Sequence, residues 1–319
     1  MEIKQLVARL VLIAATQFSL ACAVTAVEAV NSFRDCEDCP EMIEVPIGSF
    51  EMGSSSTALD KAQIPEPFAT YQTPRHTVRL TRAFAMGKYP VTRAEFERFV
   101  IATDHPLRGD CWSWNQAAER YEQQEPLTWR DPGFTQSDSD PAVCVSWGDA
   151  KAYVAWLSKH TKLSYRLPSE SEREYATRAG TDSAWPWGSA GDRICAHANV
   201  SDLSRLSVHT KTERSRQTVF DCEDGFVYTA PVGSFVPNRL GLYDTLGNVW
   251  EWVEDCFRET YADAPTDGTA LQSTDCALRT LRGGSWFTLT FLNRPGARYG
   301  AAGSDRSGHI GFRIARTLD

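Results

Sequence analysis

A short segment in the second half of the chain carries the residue types that bind a hard cation. Residues 241–252, GLYDTLGNVWEW, place Asp244 and Glu251 on either side of Gly247. Calcium takes roughly six to eight oxygen ligands, which carboxylates and the backbone carbonyls of a tightly curved loop can supply. Gly247 permits such a curve because glycine lacks a Cβ atom. A surface turn with an uncompensated acidic pair is the alternative, and these residues alone leave both interpretations open.

Cysteine is the second residue type with chemical consequences. After Cys22 near the N terminus, the chain carries eight further cysteines: Cys36, Cys39, Cys111, Cys144, Cys195, Cys222, Cys256 and Cys276. An even number is typical of exported proteins that form disulfides, and proximity along the chain favours the pairs 36–39, 111–144, 195–222 and 256–276. The Cys-x-x-Cys spacing of the first pair also occurs in metal and redox sites. A zinc site would need a second such pair, and the sequence has none.

The N-terminal segment indicates export. Two basic residues precede an apolar run, residues 10–20, that is too short to span a bilayer, and small residues follow it at cleavage spacing. This pattern predicts a signal peptide over residues 1–29 and a periplasmic or secreted protein. Lipoprotein anchoring at Cys22 is the alternative, but Ser19 stands where such sites usually carry Leu. Residues 30–319 contain no further segment of membrane-spanning length, so we expect no transmembrane anchor in the mature chain.

Composition describes an acidic globular protein. Of the 319 residues, 42% are hydrophobic, and the net charge is −8. Because binding to phosphate groups needs a positive electrostatic field, this negative net charge argues against nucleic acid as a partner. The chain shows no internal repeat and no interdomain linker, so residues 30–319 are predicted to form one domain. The oligomeric state cannot be read from these features.

Regular elements are predicted mainly in the first half. Residues 43–52 and 76–86 alternate in the manner of strands. Helices are predicted to begin at Thr92, Ser146 and Ser169, each followed three residues later by an acidic residue in the pattern of a capping box.

Beyond these helices the pattern changes. After Gly180 the periodicity mostly vanishes, and we expect long irregular backbone stabilised by disulfides and bound cations. The polar stretches 104–140 and 201–221 are predicted to be surface loops.

Seven segments in consistent order resemble the formylglycine-generating (sulfatase-modifying factor) family. They are residues 39–54, 87–100, 141–157, 165–181, 224–252, 281–286 and 309–316, and the most specific are GLYDTLGNVWEW, RGGSW and GFR. The resemblance covers nearly all of the mature chain. It implies a mixed α/β fold with little regular secondary structure, a variant of the C-type lectin-like fold.

The resemblance also implies two structural calcium sites. At the first, Asp244 and Glu251 would bind through side chains, and Gly247 and Val249 through carbonyls. At the second, the side chains would come from Asn199 and Asp224, and the carbonyls from Val200 and Phe226. The 195–222 pair would hold the two segments of the second site together.

Copper is not expected. Members of this family oxidise a substrate cysteine with dioxygen and a copper ion held by two cysteines just after the RGGS segment. Alignment on Arg282–Ser285 places Thr288 and Asn293 at those positions, and neither side chain can act as the thiolate that Cu(I) prefers. No cysteine lies beyond Cys276.

The groove around those positions supplies candidate catalytic residues: Ser285, Trp286, Asn293, Arg294 and Arg298. Its arginines can bind an anionic or peptide ligand, while Arg282 and Arg313 are interpreted as structural, with guanidinium groups that hold irregular backbone. For Arg294 and Arg298 both interpretations stay open.

Three functions follow from these observations. The first is oxidation of a protein cysteine by the copper mechanism, which Thr288 and Asn293 oppose. The second is oxidative tailoring of a peptide-derived substrate without the copper cysteines, as in the exported pyoverdine-maturation member of the family. The third is a non-catalytic lectin-like module that binds a peptide or glycan.

Overall fold

The computed structural model describes residues 31–106, 108–189, 191–208 and 218–318. The predicted signal peptide, residues 1–29, lies outside them, and so does Cys22. Among the described residues, none of the helices combines the length and apolar character that crossing a membrane requires.

The described residues form a mixed α/β structure with six α-helices and thirteen short strands. The helices are α1 Ser56–Lys61, α2 Phe68–Tyr71, α3 Arg93–Thr103, α4 Trp147–Thr161, α5 Glu170–Arg178 and α6 Ile194–His197. The first strands are β1 Ser32–Phe33, β2 Met42–Val45, β3 Gly48–Met52, β4 His76–Leu80, β5 Phe84–Gly87, β6 Cys111–Asn115 and β7 Arg120–Gln124. The others are β8 Tyr165–Arg166, β9 Trp250–Cys256, β10 Arg279–Arg282, β11 Arg298–Ala301, β12 Ile310–Phe312 and β13 Ala315–Thr317.

The three predicted helices are confirmed as α3, α4 and α5. Each begins with a capping box, in which the N-cap hydroxyl accepts from the third backbone N–H and the acidic side chain accepts from the N-cap N–H. Helices α3 and α4 pack through an aromatic cluster, in which Phe96 and Phe99 contact Tyr153. This cluster forms part of the main core.

The two predicted strands of the first half are each divided. Residues 43–52 form β2, in a five-stranded sheet of order β1-β2-β5-β13-β8, and β3, in a separate hairpin with β4. Pro46 separates the two strands and lacks the N–H that a continuous ladder would need. Residues 76–86 divide in the same way into β4 and β5. The strand character predicted for both stretches is therefore confirmed, and each contains a break that the alternation did not indicate.

The second half is more regular than predicted. Strands β9 to β12 form a four-stranded sheet of order β11-β10-β9-β12, in which β12 runs parallel to β9. Strand β9 is buried on both faces, so it shows no alternation of apolar and polar residues that could have revealed it. The stretch 104–140 also contains strands, since β6 and β7 form a hairpin there.

Four disulfides join the pairs that proximity along the chain favoured. They are Cys36–Cys39, Cys111–Cys144, Cys195–Cys222 and Cys256–Cys276. All eight cysteines within the described residues are therefore oxidised.

Helix α5 is buried although it is strongly polar. Its Glu174 accepts hydrogen bonds from Arg178 and Arg282. Arg282 also donates to the carbonyls of residues 295–297, and Arg313 donates to the carbonyls of Gly87, Tyr243 and Asp244. The structural interpretation of Arg282 and Arg313 is thus confirmed, because their guanidinium groups hold irregular backbone in place.

Candidate functional site

The RGGS segment turns sharply where β10 ends. Gly283 and Gly284 both have positive φ, at +100° and +74°. A Cβ atom on Gly284 would lie 2.3 Å from Asn293 Oδ1, so only glycine allows residue 293 to pack against this turn. The close backbone packing brings the segment 284–288 against the segment 292–296.

Ser285, Thr288 and Asn293 form the buried interior of this turn. Ser285 Oγ and Thr288 Oγ1 are 2.7 Å apart and share a hydrogen bond. Asn293 is fully buried, and neither polar atom of its side chain has a hydrogen-bond partner among the described residues. An unpartnered buried amide is costly, which makes this position a candidate for contact with a ligand or an ordered water.

The other predicted groove residues lie in three different environments. Trp286 is buried, and its Nε1 donates to the carbonyl of Gly308. Arg298 is buried and binds both carboxylate oxygens of Glu170, at 2.6 and 2.8 Å. Its guanidinium group therefore points into the core and not into a groove. Arg294 is half-buried at the edge of a cavity. The structure therefore brings Ser285, Trp286 and Asn293 together and separates Arg298 from them.

A polar cluster that sequence analysis missed packs against Trp286 and the residue that follows it. Tyr121 on β7 places its hydroxyl 2.6 Å from His309 Nδ1 and also against Ser307 Oγ, and Ser307 Oγ is 2.9 Å from the same nitrogen. The ring of Phe287 stacks on Tyr121 with centroids 4.6 Å apart. His309 begins the HIGFR motif, but nothing in the sequence indicated that a hairpin residue 188 positions earlier would contact it.

Removal from water keeps the members of this cluster neutral. Burial lowers the pKa of His309 to about 3, because the imidazolium form loses its hydration. Burial likewise raises the pKa of Tyr121, and its hydrogen bonds to Ser307 and to the backbone of Gly308 only partly offset that effect. At neutral pH the cluster can therefore orient a hydroxyl group, but His309 is a weak base there.

The first predicted calcium segment contains one oxygen without a partner. Asp244 is buried; its Oδ2 accepts from the Gly233 N–H at 2.8 Å, while Oδ1 has no partner among the described residues. Burial raises the pKa of Asp244 to about 6. An unpaired, buried carboxylate oxygen is the kind of group that a calcium ion would satisfy.

Glu251, in the same segment, fits a calcium ion less well. Its Oε2 accepts from Arg173 Nε at 2.6 Å, and its Oε1 accepts from Arg313 Nη2 at 3.0 Å. Burial opposes its ionisation, yet the two guanidinium charges outweigh that effect and lower the pKa of Glu251. Glu251 would have to share its carboxylate between a cation and two arginines.

The second predicted calcium segment also leaves one oxygen free. Asn199 is fully buried, its Nδ2 donates to Tyr228 O and Asn248 Oδ1, and its Oδ1 has no partner among the described residues. Asp224 accepts from the N–H groups of Val200 and Phe226. Burial, followed by repulsion from Asp202, raises the pKa of Asp224 to about 7.

The two segments touch, since the N–H of Asn248 donates to Asn199 O at 2.7 Å. Within the described ranges, no cluster of three or more acidic, His or Cys side chains is assembled as a metal site. Any ion at these segments would therefore depend on amide and backbone oxygens as much as on carboxylates.

Comparison with known proteins identifies the family. The family model for the sulfatase-modifying factor enzyme 1-like domain matches residues 28–318. The chain belongs to the sulfatase-modifying factor family. It is 34% identical to the formylglycine-generating enzyme of Streptomyces coelicolor, over 87% of this chain and 89% of that protein. It is also 29% identical to the inactive C-alpha-formylglycine-generating enzyme 2 of Bos taurus, over 86% of this chain and 87% of that protein.

A solved structure resembles this fold over most of the chain. PvdO from Pseudomonas aeruginosa is 37% identical and superposes with a TM-score of 0.72, covering 90% of this chain and 98% of that one. Variable protein 1 of Treponema denticola superposes with a TM-score of 0.64 at 19% identity, a likeness of fold alone.

The copper pair that the family resemblance implies does not fit this member of the sulfatase-modifying factor family. Thr288 and Asn293 stand at the two cysteine positions, and Thr288 already shares its hydroxyl with Ser285. The eight cysteines within the described residues are joined in disulfides, so none can supply a thiolate there.

Proposed function

We propose that this protein oxidatively modifies a protein or peptide-derived substrate at a site that does not use a copper-binding cysteine pair. Family membership supports oxidation, and the residues at positions 288 and 293 argue for a different mechanism. Such an oxidation removes two electrons and two protons from the substrate and transfers them to dioxygen, the acceptor that the family resemblance implies, which is thereby reduced to hydrogen peroxide.

The observation that carries the proposal is the Tyr121–Ser307–His309 cluster beside the RGGS turn. A neutral tyrosine hydroxyl held by His309 Nδ1 is a rigid hydrogen-bond donor or acceptor in an aromatic environment. Because this hydroxyl also donates to Trp112 O, its bonds are all within the protein, and it can hold Phe287 and the RGGS turn in the position that a substrate would contact. We assign it a positioning role, because the low pKa of His309 disfavours proton abstraction at neutral pH.

Oxygen uptake with short synthetic peptides tests this proposal. We expect uptake by the parent protein and a decrease of about tenfold or more in Tyr121→Phe, the size of effect that loss of one positioning hydrogen bond produces. Tyr71→Phe is the matched control, because its hydroxyl has no hydrogen bond among the described residues. Equal rates in both variants would contradict the assigned role.

A Cys-x-Pro-x-Arg peptide incubated with the protein and copper provides the second arm. We expect mass spectrometry to find no aldehyde, and formation of aldehyde would overturn the copper-free site.

A non-catalytic binding module is the second candidate. The substitutions at the copper positions and the likeness to a relative named as inactive favour it. Peptide binding without oxygen uptake would select this function over oxidation.

We further propose that the mature protein is exported, has a C-type lectin-like variant of the fold and binds calcium at both segments. The four disulfides support export, because such bonds persist in oxidising compartments. The unpartnered oxygens of Asn199 and Asp244 support calcium. In that state the ions would hold the loops in shape, with no part in the oxidation.

A further inference from the structure

A cavity of about 480 Å³ lies on the surface next to the RGGS turn. Residues 53–62, around α1, form one wall, and residues 182–185 and 294–296 form the others. Trp185 connects the cavity to the turn, since its Nε1 donates to Asn293 O at 2.9 Å. The volume exceeds that of an inorganic ion and lies within the range of small-molecule sites.

Positive charge dominates the lining of this cavity, although the protein as a whole is acidic. The lining contains four cationic side chains, Lys61, Arg75, Arg178 and Arg294, and one carboxylate, Asp182. A concentration of cations on a chain with net charge −8 is a local feature that bulk composition does not explain.

Two of the four cations are compensated by carboxylates. Arg75 Nη2 lies 2.7 Å from Asp182, and Arg178 binds Glu174. Arg75 Nε is buried without a hydrogen bond among the described residues, but it lies 3.7 Å from Glu51 Oε2 in a second ion pair, so the charge of Arg75 is fully compensated.

Arg294 is not compensated. Its guanidinium makes no hydrogen bond or ion pair with the described residues, although its backbone carbonyl accepts from the Ala297 N–H, and the residue is half-buried. Burial and then the neighbouring Arg178 lower the pKa of Arg294, so its charge is held at a cost to the protein. A guanidinium kept partly out of water without an anion is a feature that an anionic ligand would satisfy.

The rest of the lining combines four serines, at positions 54, 55, 183 and 189, with an apolar group. Ala58, Ala62, Ala184, Trp185 and Pro295 face the same space. A bare inorganic anion would gain nothing from these contacts, whereas an organic anion would bury its carbon skeleton against them. Gly296 allows two walls of the cavity to approach closely, since a Cβ atom at this position would lie 2.5 Å from Ser54 Oγ.

We propose that this cavity binds an organic carboxylate, such as the acidic side chain or free carboxyl end of a peptide-derived ligand, with Arg294 as the principal anion-binding residue. Arg178 and Lys61 add to the positive field, and Trp185 covers the apolar part of the ligand. This site is independent of the proposed oxidation, because binding is measured without turnover.

Calorimetric titration of the disulfide-bonded protein tests the site with three probes. These are the tripeptide Ala-Ala-Asp, its uncharged counterpart Ala-Ala-Asn-amide and inorganic phosphate. We expect the acidic tripeptide to bind in a salt-sensitive manner and the uncharged peptide to bind at least tenfold more weakly. Phosphate that binds as tightly as the tripeptide, or no difference between the two peptides, would overturn the proposal.

Variants locate the binding. Arg294→Gln should weaken binding of the acidic tripeptide by about tenfold to a hundredfold, the effect of one charge-assisted hydrogen-bonding group, and Arg294→Lys should restore part of it. Arg108→Gln removes the same charge at an exposed position and should leave binding unchanged. Equal effects of the two glutamine variants would contradict a local site.

The unliganded variant separates a ligand-binding role from a structural one. Because the Arg294 guanidinium has no partner among the residues that the structure describes, Arg294→Gln should leave the melting temperature unchanged or raise it. A large decrease would assign Arg294 to the fold and overturn its role as the anion-binding residue.

Discussion

Glu251 shows that one carboxylate in a family motif can be assigned two different roles, one from the sequence and one from the structure. From the sequence it is a calcium ligand, and in the structure it is the shared acceptor of Arg173 and Arg313. The sequence could not reveal this competition, because the two arginines lie 78 and 62 residues away along the chain. Breaking such a buried pair leaves uncompensated charge in the core.

We predict that Glu251→Gln lowers the free energy of unfolding by about 3–5 kcal/mol, because it leaves two buried guanidinium groups without a carboxylate. Urea denaturation in the presence of chelator measures this loss without any contribution from calcium. Glu259→Gln, at an exposed position, should change stability by less than about 0.5 kcal/mol. A loss of that small size in Glu251→Gln would refute the buried network.

His309 gives a prediction on pH. Its pKa is lowered from 6.5 to about 3 in the folded protein, so between these values the unfolded chain binds a proton that the folded chain does not. The contribution of His309 to the free energy of unfolding is therefore complete above pH 6.5 and is lost as the pH falls towards 3. His309→Gln should reduce the loss of stability between pH 7.5 and pH 5 by roughly 2 kcal/mol, measured by denaturation at each pH.

The exposed His160→Gln is the control for that measurement, and it should lose stability with pH as the parent does. If His309→Gln also follows the parent, the imidazole is not held neutral and the account of the Tyr121 cluster is wrong.

At the scale of elements, the sequence predicted the helices, whose signals are local, but not the strands and contacts that join residues far apart along the chain. The capping boxes at Thr92, Ser146 and Ser169 predicted α3, α4 and α5 because their chemistry is complete within four residues. Strand β9 was missed because it is buried on both faces. The Tyr121 cluster was missed because the β6–β7 hairpin, which carries it, was read as a surface loop.

The two calcium segments give the prediction at this scale. Chelation should lower the melting temperature, because one ion at each proposed site would satisfy Asp244 Oδ1 and Asn199 Oδ1, which have no partner among the described residues. Asp244→Asn should remove a large part of the difference between melting curves recorded with calcium and with chelator.

Asp263→Asn, at an exposed position, is the matched control and should keep the full calcium response. Identical melting curves of the parent protein with and without chelator would end the calcium proposal.

At the scale of the whole molecule, the protein belongs to the sulfatase-modifying factor family, and the eight cysteines of its described residues are joined as cross-links. The family could be predicted from segment order over nearly the whole chain, and the model for residues 28–318 confirms it. The substrate could not be predicted, because the positions that define the chemistry of relatives, here Thr288 and Asn293, have changed. What remains beside them is a neutral hydrogen-bonding cluster and a basic cavity.

Titration of the oxidised protein with Cu(I), in competition with a chromophoric chelator, tests the central claim most directly. With the eight cysteines of the described residues in disulfides and no thiol at positions 288 and 293, we predict that the chelator keeps all of the copper. Retention of one Cu(I) per chain by the protein would contradict the account and restore the copper mechanism.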